Sequence, residues 1–265
     1  MTGRYSSAGV NAGTTANAGT TASASADRGV SEVLGYVLLF TLIVGLISSV
    51  YIVGADELRE RRAERRLENA ERAFGILEAN IDDIVYRGAT RRSTTIAAAG
   101  SQVGFGNRVR FNLTLRDTGT SYSVAVRPVV YRGRTADILY VNGAVIRAQR
   151  DGSAMLREPP MVFETGVVVP YIRTRPVGSR SVGGETTVRI QTSAAGRSAY
   201  TRAPVPTDDY RVRLNVTTTR TAVWRRYLTE EADATCTTTG ETLSCTFTTE
   251  RLAISFVRID VRLQT

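Results

Sequence analysis

Val33-Leu34-Gly35-Tyr36-Val37-Leu38-Leu39-Phe40-Thr41-Leu42-Ile43-Val44-Gly45-Leu46-Ile47-Ser48-Ser49-Val50-Tyr51-Ile52-Val53-Gly54 holds 22 residues without one charge. As an α-helix rising about 1.5 Å per residue it would be about 33 Å long. A bilayer core asks for about 20 such residues, and the run exceeds an ordinary signal-peptide h-region. The competing reading is a core helix of a large soluble protein. Gly35, Gly45, Gly54 and Ser48-Ser49 permit close helix–helix approach in lipid.

On the N-terminal side, residues 1–26 are little besides Ser, Thr, Ala and Gly, with one Arg and no acid. Such a segment buries too little apolar surface to fold, so residues 1–29 are expected to form a disordered leader. On the C-terminal side the pattern turns amphipathic. Leu58, Ala63, Leu67, Ala70, Phe74, Leu77, Ile81, Ile84 and Val85 recur three or four apart, which marks one helical face. Glu57–Arg61 and Glu68–Arg72 set opposite charges one turn apart on the other face. Gly88 supplies a C-terminal stop. The expectation is one helix from Val30 to Arg87, membrane-spanning over 30–54 and amphipathic over 55–88.

Residues 89–265 read as β-rich. Val109–Leu115, Ser121–Tyr131, Asp137–Val141, Val145–Gln149, Val167–Ile172, Thr186–Thr192, Tyr210–Thr217 and Leu252–Leu263 are rich in Val, Ile, Tyr and Thr between turn residues. Asn142-Gly143 suits a type I′ hairpin turn, whereas Gly104-Phe105-Gly106 reads as a turn and not a phosphate loop. Thr221–Ala232 places Trp224, Tyr227 and Leu228 on one face and predicts a short helix on the sheet. The fold class is therefore α+β: a long N-terminal helix, half transmembrane, then a β-sandwich-like antiparallel domain of seven to nine strands with a short helix.

All 34 basic residues are Arg, and there is no His. Lacking His, the chain cannot assemble a Ser-His-Asp triad and lacks the commonest metal ligand. Asp82-Asp83, Asp208-Asp209 and Glu230-Glu231 could meet a hard cation, but adjacent carboxylates are more often solvated. No catalytic residue, metal or cofactor is expected. Residues 1–106 hold 11 Arg against 11 acids and residues 107–265 hold 23 against 14, so the excess of 23 − 14 = +9 lies in the later part. Alternation such as Arg211-Val212-Arg213 suits solvated strand faces; the other reading is a polyanion site. No sequence-specific nucleic-acid partner is expected.

Cys236 and Cys245 flank a Thr/Gly turn. Hairpin arms there would bring the sulfurs within bridging reach, two buried free thiols being the alternative. Asn112-Leu113-Thr114 and Asn215-Val216-Thr217 match the glycosylation acceptor pattern at Asn112 and Asn215.

Asp27-Arg28-Gly29-Val30-Ser31-Glu32-Val33-Leu34-Gly35 before an uncharged run resembles the class III signal of archaeal type IV pilins. Asn69–Asn80 and the Trp224 segment are similar to pilin-like proteins of halophilic archaea whose function is not established. The resemblance implies a prepilin-type peptidase that cuts between Gly29 and Val30, with Arg28 in the recognition sequence and the apolar run kept. Glu32 would then stand third in the mature chain, whereas bacterial-type pilins place a Glu fifth. It also implies a structural subunit or minor pilin whose partners are the bilayer and other pilin-like helices. Arg59, Arg61, Arg62, Arg65 and Arg66 after the run favour a cytoplasmic C-terminal domain by the positive-inside tendency. The cysteine pair, the sequons and the resemblance favour the outside, and the expectation is a single-pass protein with its β-domain extracytoplasmic. The alternative is a monomeric single-pass protein whose β-domain binds a ligand or acidic surface; a membrane-tethered hydrolase comes third.

Overall fold

The computed structural model describes residues 24–164, 166–202 and 210–265. The chain divides into two units, Met1–Leu58 and Arg59–Thr265. Helix α1 runs Ala24–Tyr86, six residues earlier than expected. Ala24–Gly29 is thus helical where a disordered leader was predicted, because adding a residue to an existing helix costs far less than nucleating one. Residues 1–23 of that leader lie outside the described residues. In the first unit, Val33–Val50 has a mean hydropathy of 2.4 and none of it is buried. This is one helix apolar enough to span a membrane.

In the second unit α1 ends as its sequence requires. Gly88 takes φ +76°, and the Ala89 N–H returns to the Asp83 carbonyl at 3.0 Å, a left-handed C-terminal stop that glycine accepts without strain. Leu67, Ala70, Phe74, Leu77, Ile81, Ile84 and Val85 are buried, and Arg72–Glu68 pair on the solvent side at 3.5 Å.

Fifteen strands and helix α2 (Thr221–Ala232) follow among the described residues, more than the seven to nine strands expected. The first sheet runs β1 (Arg91–Ala97), β11 (Thr187–Arg202), β15 (Leu252–Gln264), β9 (Val167–Pro176). The second runs β10 (Ser181–Gly183), β2 (Gln102–Phe105), β5 (Val129–Arg132), β6 (Asp137–Val141), β7 (Ala144–Gln149), β8 (Gly152–Arg157). The third runs β13 (Thr235–Thr239), β14 (Thr242–Thr249), β12 (Tyr210–Thr217), β3 (Val109–Leu115), β4 (Ser121–Val126). Every pairing is antiparallel except β9 with β15. Asn142 and Gly143 both take positive φ between the paired Val141 and Ala144, the two-residue hairpin expected there.

Two expectations are corrected. Ser121–Tyr131 is broken at Arg127-Pro128 into β4 and β5, because proline has no N–H for a ladder. Gly104 lies inside β2, not in a turn. An added Cβ there would sit 3.0 Å from Ser181 Cβ and 3.1 Å from the Arg180 carbonyl oxygen, so glycine lets β10 approach.

The apolar residues form two main cores. In one, Phe111, Leu113 and Leu214 of the third sheet meet Val141 and Ile146 of the second and Val169 and Tyr171 of the first, with Trp224 from α2. In the other, the α1 stripe meets Ile138 and Tyr140 of the second sheet and Ile190 and Ile259 of the first. β15 serves both. Leu252, Ile254 and Phe256 belong to the first core, and Val257, Ile259, Val261 and Leu263 to the second. Successive side chains of a strand point to opposite faces, so β15 changes its buried face midway. β9 does the same between Tyr171 and Ile172, which pair with Phe256 and Val257.

Candidate functional site

The face of β9 that buries Val169 and Tyr171 continues as Arg173 and Arg175, both exposed. Alternation dictates this: once the core below Tyr171 ends, the same face meets solvent. Arg127 is brought alongside by the turn at Pro128, where the buried Thr174 hydroxyl donates to the Arg127 carbonyl. Arg108, leading into β3, and Arg180, leading into β10, complete a cleft of 260 Å³ lined by these five arginines with Ala125, Thr174 and Pro176. An adjoining cleft of 570 Å³ shares Ala125 and Arg173 and adds Arg258 and Arg197.

Charge pairing across these clefts is uneven. Arg175 forms a bidentate fork on Asp260, both contacts 2.7 Å. The Asp260 carboxyl is accordingly held below the usual carboxylate range, first by that hydrogen bond. One rung away, Arg173 pairs in register with Arg258, two like charges side by side. Arg258 donates to the Ala195 carbonyl at 2.7 Å. Among the described residues, Arg108, Arg127, Arg173 and Arg180 meet no carboxylate. The sequence showed these cations as dispersed along separate strands; strand pairing brings them together, and alternation such as Arg173-Thr174-Arg175 carried no sign of it.

A family model described as "Family of unknown function (DUF7289)" matches residues 28–262, which takes in the apolar run, nearly all of α1 and of the three sheets, and both clefts. The chain belongs to this family. No curated protein and no solved structure matches the chain.

In this DUF7289 chain Cys236 and Cys245 are bonded to one another as directly opposed residues of β13 and β14. The hairpin closes at Gly240, φ +57°. The bridge packs against Leu243 and the α2 residues of the first core. Asn112 and Asn215 are also register partners, on β3 and β12. Opposed side chains on a sheet stand about 5 Å apart, so the two sequons share one patch mid-strand instead of lying on separate loops.

The acidic pairs do not converge. Asp83 binds Arg87 at 2.7 Å and Arg92 at 3.0 Å. Asp82 is pushed up to about 6, chiefly by burial and then by the neighbouring Glu78 charge. Glu230 and Glu231 are exposed on α2, and Asp208-Asp209 lies outside the described residues. Among the described residues, no group of three or more Cys, Asp or Glu could hold a metal ion. The backbone at Arg28, Gly29 and Val30 is helical.

Proposed function

We propose that this protein is a membrane-anchored, pilin-like surface protein, a structural subunit or minor component of a type IV pilus-like assembly, and not an enzyme. The observation that carries the reading is Val33–Val50, whose apolar side chains have no cover among the described residues. In lipid such a helix is stable alone, and outside lipid only where other helices replace the lipid contacts. Gly35 and Gly45 meet nothing within 4 Å, which leaves their positions free for close approach of a second helix. In this reading a prepilin-type peptidase cuts between Gly29 and Val30. The β-domain stands outside the cell as sandwich-like layers, a placement supported by the Cys236–Cys245 bridge, since such bonds persist in oxidising compartments.

The test is N-terminal sequencing of the protein from its native membrane, with disulfide trapping of single cysteines at Gly35 and Gly45. A mature chain that starts at Val30 and traps with itself or similar helices is expected. A chain that starts at Met1 and never traps would favour the second reading, a monomeric single-pass protein with a ligand-binding β-domain. The arginine-lined cleft beside Pro128 is what supports that second reading.

A further inference from the structure

The four arginines that meet no carboxylate among the described residues converge on one 260 Å³ cleft, and their placement follows from the fold. Arg173 is fixed on the ladder between β9 and β15, and Arg127 is held by the Thr174 hydroxyl through its own carbonyl. Arg173 stands beside Arg258 in register. Like charges directly opposed on a sheet are destabilising, whereas two residues along, on the same face, Arg175 faces Asp260 and pairs with it at 2.7 Å. Among the described residues, no carboxylate does the same for Arg173. The guanidinium fork matches the geometry of carboxylate, sulfate and phosphate oxygens. The cleft has room for several water-sized groups, more than a single oxyanion needs.

The geometry points to a built site for a multiply charged oxyanion, held by Arg108, Arg127, Arg173 and Arg180, with Arg175 at its edge. Its ligand carries two or more phosphate, sulfate or carboxylate groups on one molecule. The site goes beyond a structural role, because it gives the β-domain a chemistry of its own. Two sources share that chemistry, a small polyanion and an acidic polysaccharide.

The experiment uses the full chain in neutral detergent, titrated separately with tripolyphosphate and with a sulfated polysaccharide at fixed ionic strength. Saturable binding of tripolyphosphate in one-to-one ratio identifies a small-molecule site; binding of the polysaccharide alone identifies the polymer. Arg127→Gln with Arg173→Gln should weaken either by at least tenfold. Arg110→Gln with Arg150→Gln removes the same charge from exposed positions outside the cleft and should change it less than twofold. Arg180→Gln alone should weaken binding at least threefold, and being exposed before the short β10 it serves if the double variant fails to fold. Equal losses in the cleft and control pairs, no loss with Arg180→Gln, or no binding of either probe, would overturn the assignment.

Discussion

Arg197 of β11 donates from Nη2 to the carbonyl oxygen of Ile84 at 3.0 Å, and to that of Val85. The last carbonyls of a helix lack partners within it, and a cation at that end also favours the helix dipole. The last turn of α1 contains no basic residue of its own, so a residue more than a hundred positions later supplies the cap. Arg197→Ala should cost about 1–2 kcal/mol, the range for hydrogen bonds from a charged donor. Arg197→Lys should recover only part, because lysine lacks the planar fork. Urea midpoints of the full chain decide the matter; an unchanged midpoint for Arg197→Ala would mean that solvent caps the helix equally well.

Phe74 is wholly buried while Ile76, two positions on, is 57% exposed. Phe74→Ala should therefore cost about 3–5 kcal/mol, the loss of a large core side chain plus the cavity left behind. Ile76→Ala should fall within about 0.5 kcal/mol, as surface changes do. Similar shifts for the two would show that the α1 stripe contributes little to the second core.

The pH dependence follows from Asp82. Its folded carboxyl titrates near 6 against a usual 3.8, so between those values the folded state holds a proton that the unfolded state has lost. Stability then falls as pH rises through that window and levels off above it. A shift of this size is attenuated by the half-exposed setting, leaving about 1–2 kcal/mol. Glu78 and Asp83 reinforce the shift and Arg87 opposes it. The paired Asp83, Asp117 and Asp260 are all held low, and they act oppositely, losing their contribution as pH drops below about 4. Urea midpoints from pH 3 to 8 should peak between about 4 and 5. Asp82→Asn should flatten the decline toward pH 7 and leave the acid side in place. A decline that survives Asp82→Asn assigns it to another group.

The Cys236–Cys245 bond closes a short hairpin loop. In the chain-entropy model such a loop contributes about 2–3 kcal/mol, so Cys236→Ala with Cys245→Ala should lower the unfolding free energy by that amount, read from urea unfolding. Alkylation of the denatured, unreduced protein should label neither cysteine. Two labelled thiols would remove the bridge and with it one support for placing the domain outside.

Local signals were legible. β3, β6, β12 and α2 occupy the residues that alternation and helical spacing predicted, and Asn142-Gly143 turns where its tolerance of positive φ demanded. Four strands were not foreseen: β1, β2, β8 and β10. These are short or mostly polar, and much of what holds them is pairing with distant strands, as β1 pairs with β11. The face switch of β15 was also hidden. Its sequence, Leu252-Ala-Ile-Ser-Phe-Val-Arg-Ile-Asp-Val-Arg-Leu-Gln264, does slip phase at Phe256-Val257, yet which core lies on which side depends on β9 and β11. The arginine cleft was invisible for the same reason. Its residues come from four places in the chain, and only register brings Arg173 beside Arg258.

The two-sided use of β15 also dictates the order in which this chain can mature. Leu252–Gln264 is an inner strand of its sheet and supplies apolar side chains to both cores. Both cores receive side chains from that strand, so neither is complete before it is made. Pairings across such sequence separations form slowly, and waiting intermediates of this kind are prone to aggregate. If the β-domain is carried across a membrane, as proposed above, that delay has a benefit: a domain that cannot lock early stays threadable during transport.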